Sequence, residues 1–524
     1  MTFNRSIRRG HVREAFRSMR IERQQQKRED TAGEDSSNVS SLDEPQSTSP
    51  AATCWPEADS LFDISEHQRE QYRKVSTGCL SVLGGRPGTG KTFTLARIIG
   101  QVQKTGAKIA VCGPTGKSMV RLTEVLESSG VCGIRGVTTH SLLGVNSANG
   151  GSWEFEHDEE NPLPYDWIFI DEAPMYSTPL LGSLLAARRE GCRVLVVGDV
   201  NQLAPVEHGA PLRDLKEILP YGELIEIQRN SGRIVKACHE IIDKQRFVSS
   251  EKIDLQAESP ENLFHVERTD PESQIASLRG MLEKFSAGKM LHYWDKKELK
   301  HRKIDPVWDC QILVPINDKS DVARKPLNFI LQNLLNPGGE QVKGCKFRVG
   351  DKVVNGRNGL FTAETEKSCV SRSAKIFSCN GDVGRVEAIV GNYMVVRLWL
   401  PNRIIRVPIA ADRVKNDDGD EEAGMSWDLG YASSVHKAQG SEWPVCITVI
   451  DPYSGARQLC DRSWLYTSLS RAKILAVTLG QRCYIDSMVR KSKIWNRKTF
   501  LRERILENVA SYKGARWADE LEDL

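Results

Sequence analysis

The sequence lacks several features that would assign it to a specialised class of protein. Its 13 cysteines are scattered singly with no CxxC pair, and the loose group Cys345, Cys369 and Cys379 fits no common zinc-site spacing. We therefore expect reduced thiols in a cytoplasmic, reducing compartment. No apolar run is long enough to cross a bilayer and no secretory signal is evident, so we expect no membrane association.

Net charge is also small, at +3, so the overall field does not point to nucleic acid and any basic surface must be local. Residues 5–28 are rich in arginine, and residues 31–53 are rich in serine, proline and aspartate. We expect residues 1–60 to form a tail with a basic part and then a disordered part. The basic part is either a solvated tail or an arm for nucleic acid or for replication and recombination proteins.

Short apolar runs that end in Gly- or Asp-bearing turns alternate with helical segments from about Leu61 onward. Runs of this kind predict buried parallel strands. They fall into two sets, 80–83, 109–112, 167–170 and 193–197, then 311–314, 445–450 and 476–479. The pattern predicts an α/β fold with two parallel-sheet units. Residues 349–414 differ, because β-branched residues, glycine turns and Asn380-Gly381 indicate a β-rich insertion.

The most specific motif begins at Gly85 and reads GRPGTGKT, which fits G-x-x-x-x-G-K-[ST]. It follows a predicted strand and precedes a predicted helix at 93–100, where backbone N–H groups can close around phosphates. Lys91 is then expected to reach the β- and γ-phosphates, and the Thr92 hydroxyl to bind Mg²⁺. The residues expected to hold ATP in this loop are Gly85, Pro87, Gly88, Thr89, Gly90, Lys91 and Thr92.

Two carboxylates, Asp171 and Glu172, follow the apolar run at 168–170. The carboxyl end of a parallel strand faces the ligand crevice. We expect Asp171 to hold Mg²⁺ through water and Glu172 to activate the attacking water as a general base. A phosphate loop alone is compatible with binding, whereas these carboxylates predict hydrolysis.

Seven further segments, taken in order, resemble the motifs of superfamily 1 helicases, the RecD-like group (superfamily 1B) in particular. They read ISEHQ (64–68), GPTGK (113–117), TTHSLL (138–143), GDVNQLAPV (198–206), LIEIQR (224–229), VHKAQGSE (435–442) and YTSLSRAK (466–473). The resemblance spans residues 64–482 and is to the compact phage and bacterial members. It implies two RecA-like domains that sandwich ATP and drive 5′ to 3′ movement along single-stranded DNA.

The resemblance also implies roles around the nucleotide. Gln68 would read adenine, Gln202 would sense the γ-phosphate, and Gly440 would lie against the nucleotide. Arg229 and Arg471 would supply the second lobe's cations to the transferring phosphoryl group. The alternatives are an ordinary exposed glutamine for Gln68 and a structural ion pair for Arg229.

Strand contacts are implied on both lobes. The candidates are Pro114, Thr115, Lys117, Thr139, His140, Ser434, His436 and Lys437. Hydroxyls, imidazoles and lysines suit phosphate and sugar contacts that do not read sequence. The alternative for His140 is a structural role near a helix start, and for Lys437 an ordinary exposed lysine.

A glycine-rich turn at 149–151 is followed by alternation through Trp153 and Phe155, which predicts a β-hairpin within residues 144–166. The resemblance identifies this hairpin as a strand-separating pin. Either aromatic would stack on a base at the fork, or both would pack the hairpin onto its lobe.

The predicted fold is therefore two RecA-like P-loop domains with a pin insertion and a small SH3-like β-barrel insertion. The predicted boundaries are a tail at 1–60, a first RecA-like domain at 61–206 with the pin at about 144–166, a second at 207–346 and 426–524, and the barrel at 347–425. Within the barrel, Lys352 and Arg357 are candidate phosphate contacts. The stretch 358–379 is longer than the resemblance leads us to expect.

The predicted function is a monomeric ATP- and Mg²⁺-dependent DNA helicase that acts on single strands and forks. One alternative is an RNA-directed motor, because backbone contacts hardly separate the two nucleic acids. The other is a P-loop ATPase that remodels a protein partner. The sequence departs from the family pattern at Pro174, Gln228 and Asn230, where serine, an aromatic residue and glutamine are usual, and none of these removes a catalytic group.

Overall fold

The computed structural model describes residues 54–505 apart from 147–153, 229–231, 289–291, 296–299, 342–344, 358, 365–374, 399–401, 410–425, 498, 500 and 504. The predicted N-terminal tail therefore lies almost wholly outside the described residues. Searched over the described part of the chain, no helix is both long enough and apolar enough to cross a membrane.

Lobe one, residues 54–228, is built on a parallel sheet. Its strands are β1 (Leu80–Gly85), β2 (Ile109–Gly113), β3 (Gly136–Thr138), β4 (Val145–Asn146), β5 (Glu154–Phe155), β6 (Trp167–Ile170), β7 (Arg193–Gly198) and β8 (Tyr221–Leu224). Its helices are α1 (Glu66–Val75), α2 (Lys91–Gln103), α3 (Gly116–Ser128), α4 (Thr139–Leu143), α5 (Thr178–Ala186) and α6 (Pro211–Lys216), with 3-10 turns at Ala58–Ser60 and Ala173–Met175.

Six of these strands pair in the order β3-β2-β6-β7-β1-β8, all parallel. Strands β6 and β7 are apolar and buried because hydrophobic clusters cover both faces of the sheet. The order places the loops after β6, β7 and β1 side by side at one edge, which is where a parallel sheet holds its ligand.

The short strand β8 corrects one predicted boundary. Tyr221–Leu224 pairs with β1, so it completes the sheet of lobe one. Leu212 and Leu215 of α6 belong to the buried cluster of the same lobe. The sequence prediction began the second RecA-like domain at residue 207, before these elements. The pattern Tyr-Gly-Glu-Leu is too short and too mixed to announce an edge strand.

A small hairpin interrupts lobe one, as predicted. Val145 pairs with Phe155 and Asn146 with Glu154, antiparallel. The ring of Phe155 is half-buried and packs against the hydrophobic cluster of lobe one, with its centroid 6.1 Å from that of His140. This contact supports the packing alternative for Phe155. Trp153 lies outside the described residues.

Lobe two begins after the gap at 229–231. Its first elements are α7 (Gly232–Asp243), β9 (Leu263–Glu267), α8 (Pro271–Ser286), the hairpin β10 (His292–Asp295) and β11 (Lys300–Lys303), β12 (Cys310–Val314) and α9 (Arg324–Leu335). The chain then enters an antiparallel insertion with strands β13 (Lys352–Asn355), β14 (Gly359–Ala363), β15 (Lys375–Ser378), β16 (Val383–Val390), β17 (Tyr393–Leu398), β18 (Arg403–Pro408) and β19 (Trp427–Leu429).

The seven strands of the insertion pair in the order β15-β14-β18-β17-β16-β13-β19. The predicted turn at Asn380-Gly381 joins β15 to β16, and Gly381 has a φ of 91°, which a glycine adopts without strain. An antiparallel sheet of this kind is compatible with an SH3-like insertion. It extends to Leu429, beyond the predicted limit at 425.

The chain then returns to lobe two. The remaining elements are β20 (Ala432–Ser434), β21 (Trp443–Val449), α10 (Ser454–Leu459), α11 (Arg462–Leu469), β22 (Ala472–Gly480), α12 (Arg482–Arg490) and a 3-10 turn at Ile494–Asn496. The sheet of lobe two has the order β20-β12-β21-β22-β9 and is parallel throughout. Its three predicted strands, β12, β21 and β22, are confirmed.

The end of the described chain crosses back to lobe one. The Arg213 guanidinium of α6 donates to the carbonyls of Ile494 and Arg497, and Arg497 Nη1 donates to the Gly209 carbonyl at 2.8 Å. Arg502 forms an ion pair with Glu217 at 3.2 Å. These contacts tie the two lobes together behind the loop that follows β7.

Candidate functional site

The phosphate loop joins β1 to α2. Gly88 and Gly90 have φ values of 76° and 81°, a left-handed conformation that glycine adopts readily and that turns the backbone N–H groups toward one point. Lys91 opens the helix, and its Nζ donates to the carbonyls of Gly85 at 2.7 Å and Arg86 at 3.1 Å. Thr92 follows in the first turn and is half-buried. An ammonium and the N-terminus of a helix therefore face the same cradle.

Gln68 is buried against this loop, so the alternative of an exposed glutamine is wrong. Its Oε1 accepts from the Ser65 N–H at 2.9 Å, which with the Ser65 side chain forms a capping box on α1. Its Nε2 donates to the Thr89 carbonyl at 3.0 Å. The Gln228 N–H donates to the Gly88 carbonyl at 2.9 Å. Two glutamines thus hold the phosphate loop from the side where the base is expected.

Asp171 and Glu172 lie at the carboxyl end of β6. The Asp171 carboxylate is buried, and its Oδ1 accepts from the Glu172 N–H at 2.9 Å. Burial raises the pKa of Asp171, and the neighbouring Glu172 charge adds to the shift. Glu172 has a φ of 53°, a strained backbone for a residue with a side chain. Pro174 fits the 3-10 turn that follows, where a proline has no helical N–H to lose.

The loop after β7 connects the lobes. Tyr466 Oη donates to Asp199 Oδ2 at 2.6 Å, and the Leu203 N–H donates to Thr467 Oγ1 at 2.9 Å. Gln439 Nε2 donates to the Leu203 carbonyl at 2.9 Å. All three contacts are buried and run from lobe two to lobe one. No role was predicted for these residues, because only their partners across the cleft reveal one.

Gln202 lies in the same loop and is buried, and within the described part of the chain its Oε1 has no hydrogen-bond partner. A buried amide oxygen without a partner is costly and is commonly satisfied by a ligand or water. This environment suits the predicted role beside the terminal phosphate.

Arg471 and Gly440 lie where lobe two meets this loop. The Arg471 guanidinium is buried, with Nε donating to the Thr467 carbonyl at 3.1 Å and Nη1 to the Ser441 carbonyl at 3.4 Å. Gly440 has a φ of 70°, and a Cβ placed on it would stand 3.1 Å from Thr115 Oγ1 of lobe one. The second predicted arginine, Arg229, lies outside the described residues.

The loop after β2 is the first of the two loops of lobe one that were predicted to contact a DNA strand. Several of its side chains instead make contacts within the protein. Thr115 caps α3, because its Oγ1 accepts from the Ser118 N–H and hydrogen-bonds the Ser118 hydroxyl at 2.8 Å. Lys117 Nζ stands 4.9 Å from the ring centroid of Trp443 in lobe two, and burial lowers its pKa to about 8. Lys117 therefore binds the other lobe in this structure instead of facing a strand. Pro114 is half-buried at the start of the loop.

The second loop predicted to contact a DNA strand contains one buried candidate residue and one half-buried candidate residue. Thr139 is fully buried, and its hydroxyl donates to the Gly113 carbonyl at 3.2 Å and bonds Tyr176 Oη. The prediction that Thr139 touches a strand is wrong here, because it lies at the start of α4 on the inner side. His140 is half-buried beside it, and burial lowers its pKa, so a neutral imidazole is favoured.

The buried hydroxyl leads to a prediction about stability. Thr139→Val keeps the shape of the side chain but leaves the Gly113 carbonyl and Tyr176 Oη without their partner. We expect the free energy of unfolding to fall by about 1–3 kcal/mol. Urea denaturation would measure it, with the exposed Thr105→Val as matched control. Equal midpoints for the two variants would contradict the assignment.

On lobe two, Ser434, His436 and Lys437 follow β20 and are all half-buried. Ser434 Oγ accepts from the Lys437 N–H at 3.4 Å. Burial lowers the pKa of both His436 and Lys437. Lys437 Nζ stands 3.6 Å from a Cβ placed on Gly356 of the insertion, so this loop lies where lobe two and the insertion meet.

The two cations predicted to contact phosphates from the insertion differ in exposure. Lys352 is buried, and its Nζ donates to the carbonyls of Val307 at 2.8 Å and Cys310 at 3.3 Å and to Gln311 Oε1 at 3.1 Å. The predicted phosphate contact at Lys352 is wrong, because this side chain joins β13 to lobe two. Burial lowers its pKa to about 8. Arg357 is exposed and remains a candidate.

Parts of the chain match known protein families. An AAA domain model matches residues 68–208, and a UvrD-like helicase C-terminal domain model matches residues 429–478. The chain is similar to the ATP-dependent RecD2 DNA helicase of Deinococcus radiodurans, with 29% identity over 414 residues that cover 78% of this chain and 48% of that protein. It therefore spans about half the length of that relative.

Two further similarities cover most of the chain. The RecBCD enzyme subunit RecD of Mycolicibacterium smegmatis is 27% identical over 473 residues, 86% of this chain and 77% of that subunit. A solved structure of Pif1 helicases at forked double-stranded DNA aligns with 86% of this chain and 98% of its own, at 19% identity and a TM-score of 0.45.

Proposed function

The chain belongs to the RecD-like group of superfamily 1 helicases, and we propose that it is an ATP-dependent DNA helicase that moves 5′ to 3′ along a single strand and unwinds duplex. The observation that carries the proposal is the set of contacts around the loop after β7. That loop lies between the phosphate loop and Asp171 in the sheet of lobe one and is bonded to Tyr466, Thr467 and Gln439 of lobe two. ATP bound at the phosphate loop would therefore lie next to contacts that join the two lobes.

The chemistry proposed for the cleft follows from three positions. Lys91 binds the phosphates of ATP in place of the carbonyls that it contacts here. Glu172 accepts a proton from the attacking water, and Arg471 donates to the oxygens on which negative charge grows. Arg471 must exchange a contact with Thr467 or Ser441 for the phosphate. Arg229 is proposed as its companion.

The same cleft suits a magnesium ion. Asp171 is a buried carboxylate next to a second one, and burial together with the Glu172 charge raises its pKa although the charges of Lys91 and Arg121 oppose the shift. A cation bound beside the two carboxylates would therefore be stabilised. Carboxylate and hydroxyl oxygens are the ligands that Mg²⁺ accepts. Asp171 and Thr92 are the residues proposed to hold it. The ion would supply charge neutralisation on the β- and γ-phosphates.

The single DNA strand is proposed to run over both lobes, with Arg357 of the insertion beside it. The proposed contacts are His140 and Pro114 of lobe one and Ser434, His436 and Lys437 of lobe two. All but the exposed Arg357 are half-buried, and they lie on loops that follow strands or, in the case of His140, in the first turn of α4. They suit a backbone contact that ignores sequence. Relative movement of the lobes during each ATP cycle would advance the strand.

The hairpin β4–β5 is proposed as the pin, with Trp153 as the candidate for stacking on a base. We further propose that the protein acts as a monomer in the cytoplasm. Buried free thiols such as Cys112, Cys238 and Cys446 are consistent with a reducing compartment. The basic N-terminal residues are proposed as an arm for nucleic acid or for a partner protein.

The test compares unwinding of two partial duplexes, one with a 5′ tail and one with a 3′ tail, in ATP and Mg²⁺. We expect unwinding only of the 5′-tailed duplex, and none with Lys91→Ala. Unwinding from the 3′ tail alone would overturn the polarity.

Two other outcomes would redirect the proposal. ATPase activity stimulated by single-stranded RNA but not by DNA would favour the RNA-directed motor. ATPase activity indifferent to both nucleic acids, with no unwinding, would leave only a P-loop ATPase and favour the remodelling of a protein partner.

A further inference from the structure

Helix α3 of lobe one presents two cations to lobe two. Lys117 and Arg121 are one turn apart, so they project from the same face of the helix. Lys117 lies against Trp443, and Arg121 Nη1 is 2.5 Å from Glu442 Oε1. Lys473 Nζ is 3.4 Å from the other oxygen of Glu442. Glu442 is thus paired with one cation from each lobe.

Glu442 lies close to residues at which the two lobes meet. It lies two residues after Gly440, on which an added Cβ would meet Thr115 of lobe one, and one residue after Ser441, whose carbonyl accepts from Arg471. Its side chain is 20% exposed, so its charge is only partly screened by water. Burial alone would raise the pKa of Glu442, but Arg121 and Lys473 hold it below its ordinary value.

Arg121 has a second set of anions within electrostatic reach, on its own lobe. Burial opposes its charge, whereas Glu442 first and then Glu172 and Asp171 raise its pKa. Asp171 in turn feels the Arg121 charge. The geometry agrees, because α3 packs beside the end of β6: a Cβ placed on Gly113, the last residue of β2, would meet both the Met119 side chain of α3 and the Asp171 carbonyl oxygen.

From this arrangement we infer that Arg121 is a positioning residue that exchanges partners when the lobes close. With the lobes apart, Glu442 is withdrawn and the guanidinium neutralises Asp171 and Glu172. With the lobes together, Glu442 draws the guanidinium away and leaves the two carboxylates free for the metal ion and the attacking water. The inference rests on the proposed function, since it needs a cleft that opens and closes during ATP turnover.

The inference makes the two partners differ in one measurable respect. Without DNA, Arg121→Gln should raise the ATPase rate about threefold, because nothing occupies the carboxylates of the open cleft. Glu442→Gln should lower that same rate, because Arg121 then stays on the carboxylates. With saturating single-stranded DNA, Glu442→Gln should lose about fivefold in kcat, because Arg121 then stays on the carboxylates, and Arg121→Gln should lose less, because it removes only the ion pair between the lobes. KM for ATP should change much less.

The controls separate this role from a structural one. Arg397 and Glu387 form an ion pair, also at 2.5 Å, within the antiparallel insertion. Arg397→Gln should leave both ATPase rates unchanged. Arg121→Lys keeps the charge but loses the planar fork, so it should keep the low DNA-free rate and lose part of the stimulation.

Three results would decide the matter. Opposite shifts of the DNA-free rate in Arg121→Gln and Glu442→Gln support the exchange of partners. Shifts in the same direction, or full stimulation in both variants, overturn it. If the unaltered protein hydrolyses ATP without any response to DNA, the proposed function fails instead. Should Arg121→Gln not fold, the DNA-free rates of Glu442→Gln and Arg121→Lys decide the question alone.

Discussion

Replacing Glu172 by glutamine is expected to lower the steady-state rate of ATP hydrolysis by about 10²–10⁴-fold, the range for loss of a general base. The amide has the shape of the carboxyl but cannot accept a proton from water. ATP binding should be nearly unchanged, because the phosphate loop, Lys91 and Asp171 are untouched. The strained backbone at Glu172 (φ 53°) supports this assignment, since strain of this kind clusters at functional sites.

The measurement pairs a DNA-stimulated ATPase assay with a titration of fluorescent ATP analogue. Glu190→Gln is the matched control, because Glu190 is an exposed glutamate in a turn of the same lobe. It should behave as the unaltered protein does. A Glu172→Gln variant that retained a third or more of the hydrolysis rate would remove Glu172 from the mechanism and leave Asp171 to be tested in its place.

Strands with a clear local signal were predictable from the sequence. Trp167–Ile170 is a wholly apolar run that ends at two carboxylates, and the structure begins and ends β6 at the predicted residues. The phosphate loop was equally clear, because three glycines, Lys91 and Thr92 have fixed positions relative to one strand and one helix. Such motifs depend on backbone geometry within a short segment.

Errors arose where burial depends on distant segments. Lys352 stands in an alternating pattern typical of a half-exposed strand, but Val307 and Cys310 of lobe two supply the carbonyls that bind its buried ammonium. Thr139 belongs to a polar segment, but Tyr176 and Gly113 cover it. The residues next to either position in the sequence do not indicate that these distant residues bury it.

The contacts between the lobes were invisible in the sequence for the same reason. Asp199 and Tyr466 are separated by 267 residues, and each stands in a segment with another apparent purpose. The resemblance placed Gln202 and Arg471 at the nucleotide but gave no means of holding the two segments together. In the structure, α11 holds the two segments together, because Tyr466 and Thr467 of this helix are hydrogen-bonded to the loop after β7. The helix ends just before Arg471.

Replacing Arg471 by alanine is therefore expected to lower DNA-stimulated ATP hydrolysis on the order of 10³-fold, the lower end of the range for an arginine that stabilises a transferring phosphoryl group. ATP affinity should fall far less, because binding depends mainly on lobe one. Arg471→Lys should recover little activity, since an ammonium cannot reproduce two parallel donors. The loss should appear in kcat, measured at saturating ATP and single-stranded DNA.

Arg462→Ala is the matched control, because Arg462 begins α11, the helix that ends just before Arg471, and its Nε donates to the Val489 carbonyl of lobe two. It should retain stimulation by DNA. If Arg471→Ala also retained it, Arg471 could not be the cation that stabilises the transferring phosphoryl group. Hydrolysis would then depend on lobe one and on Arg229, and the coupling of ATP turnover to movement along the DNA strand could not run through Arg471.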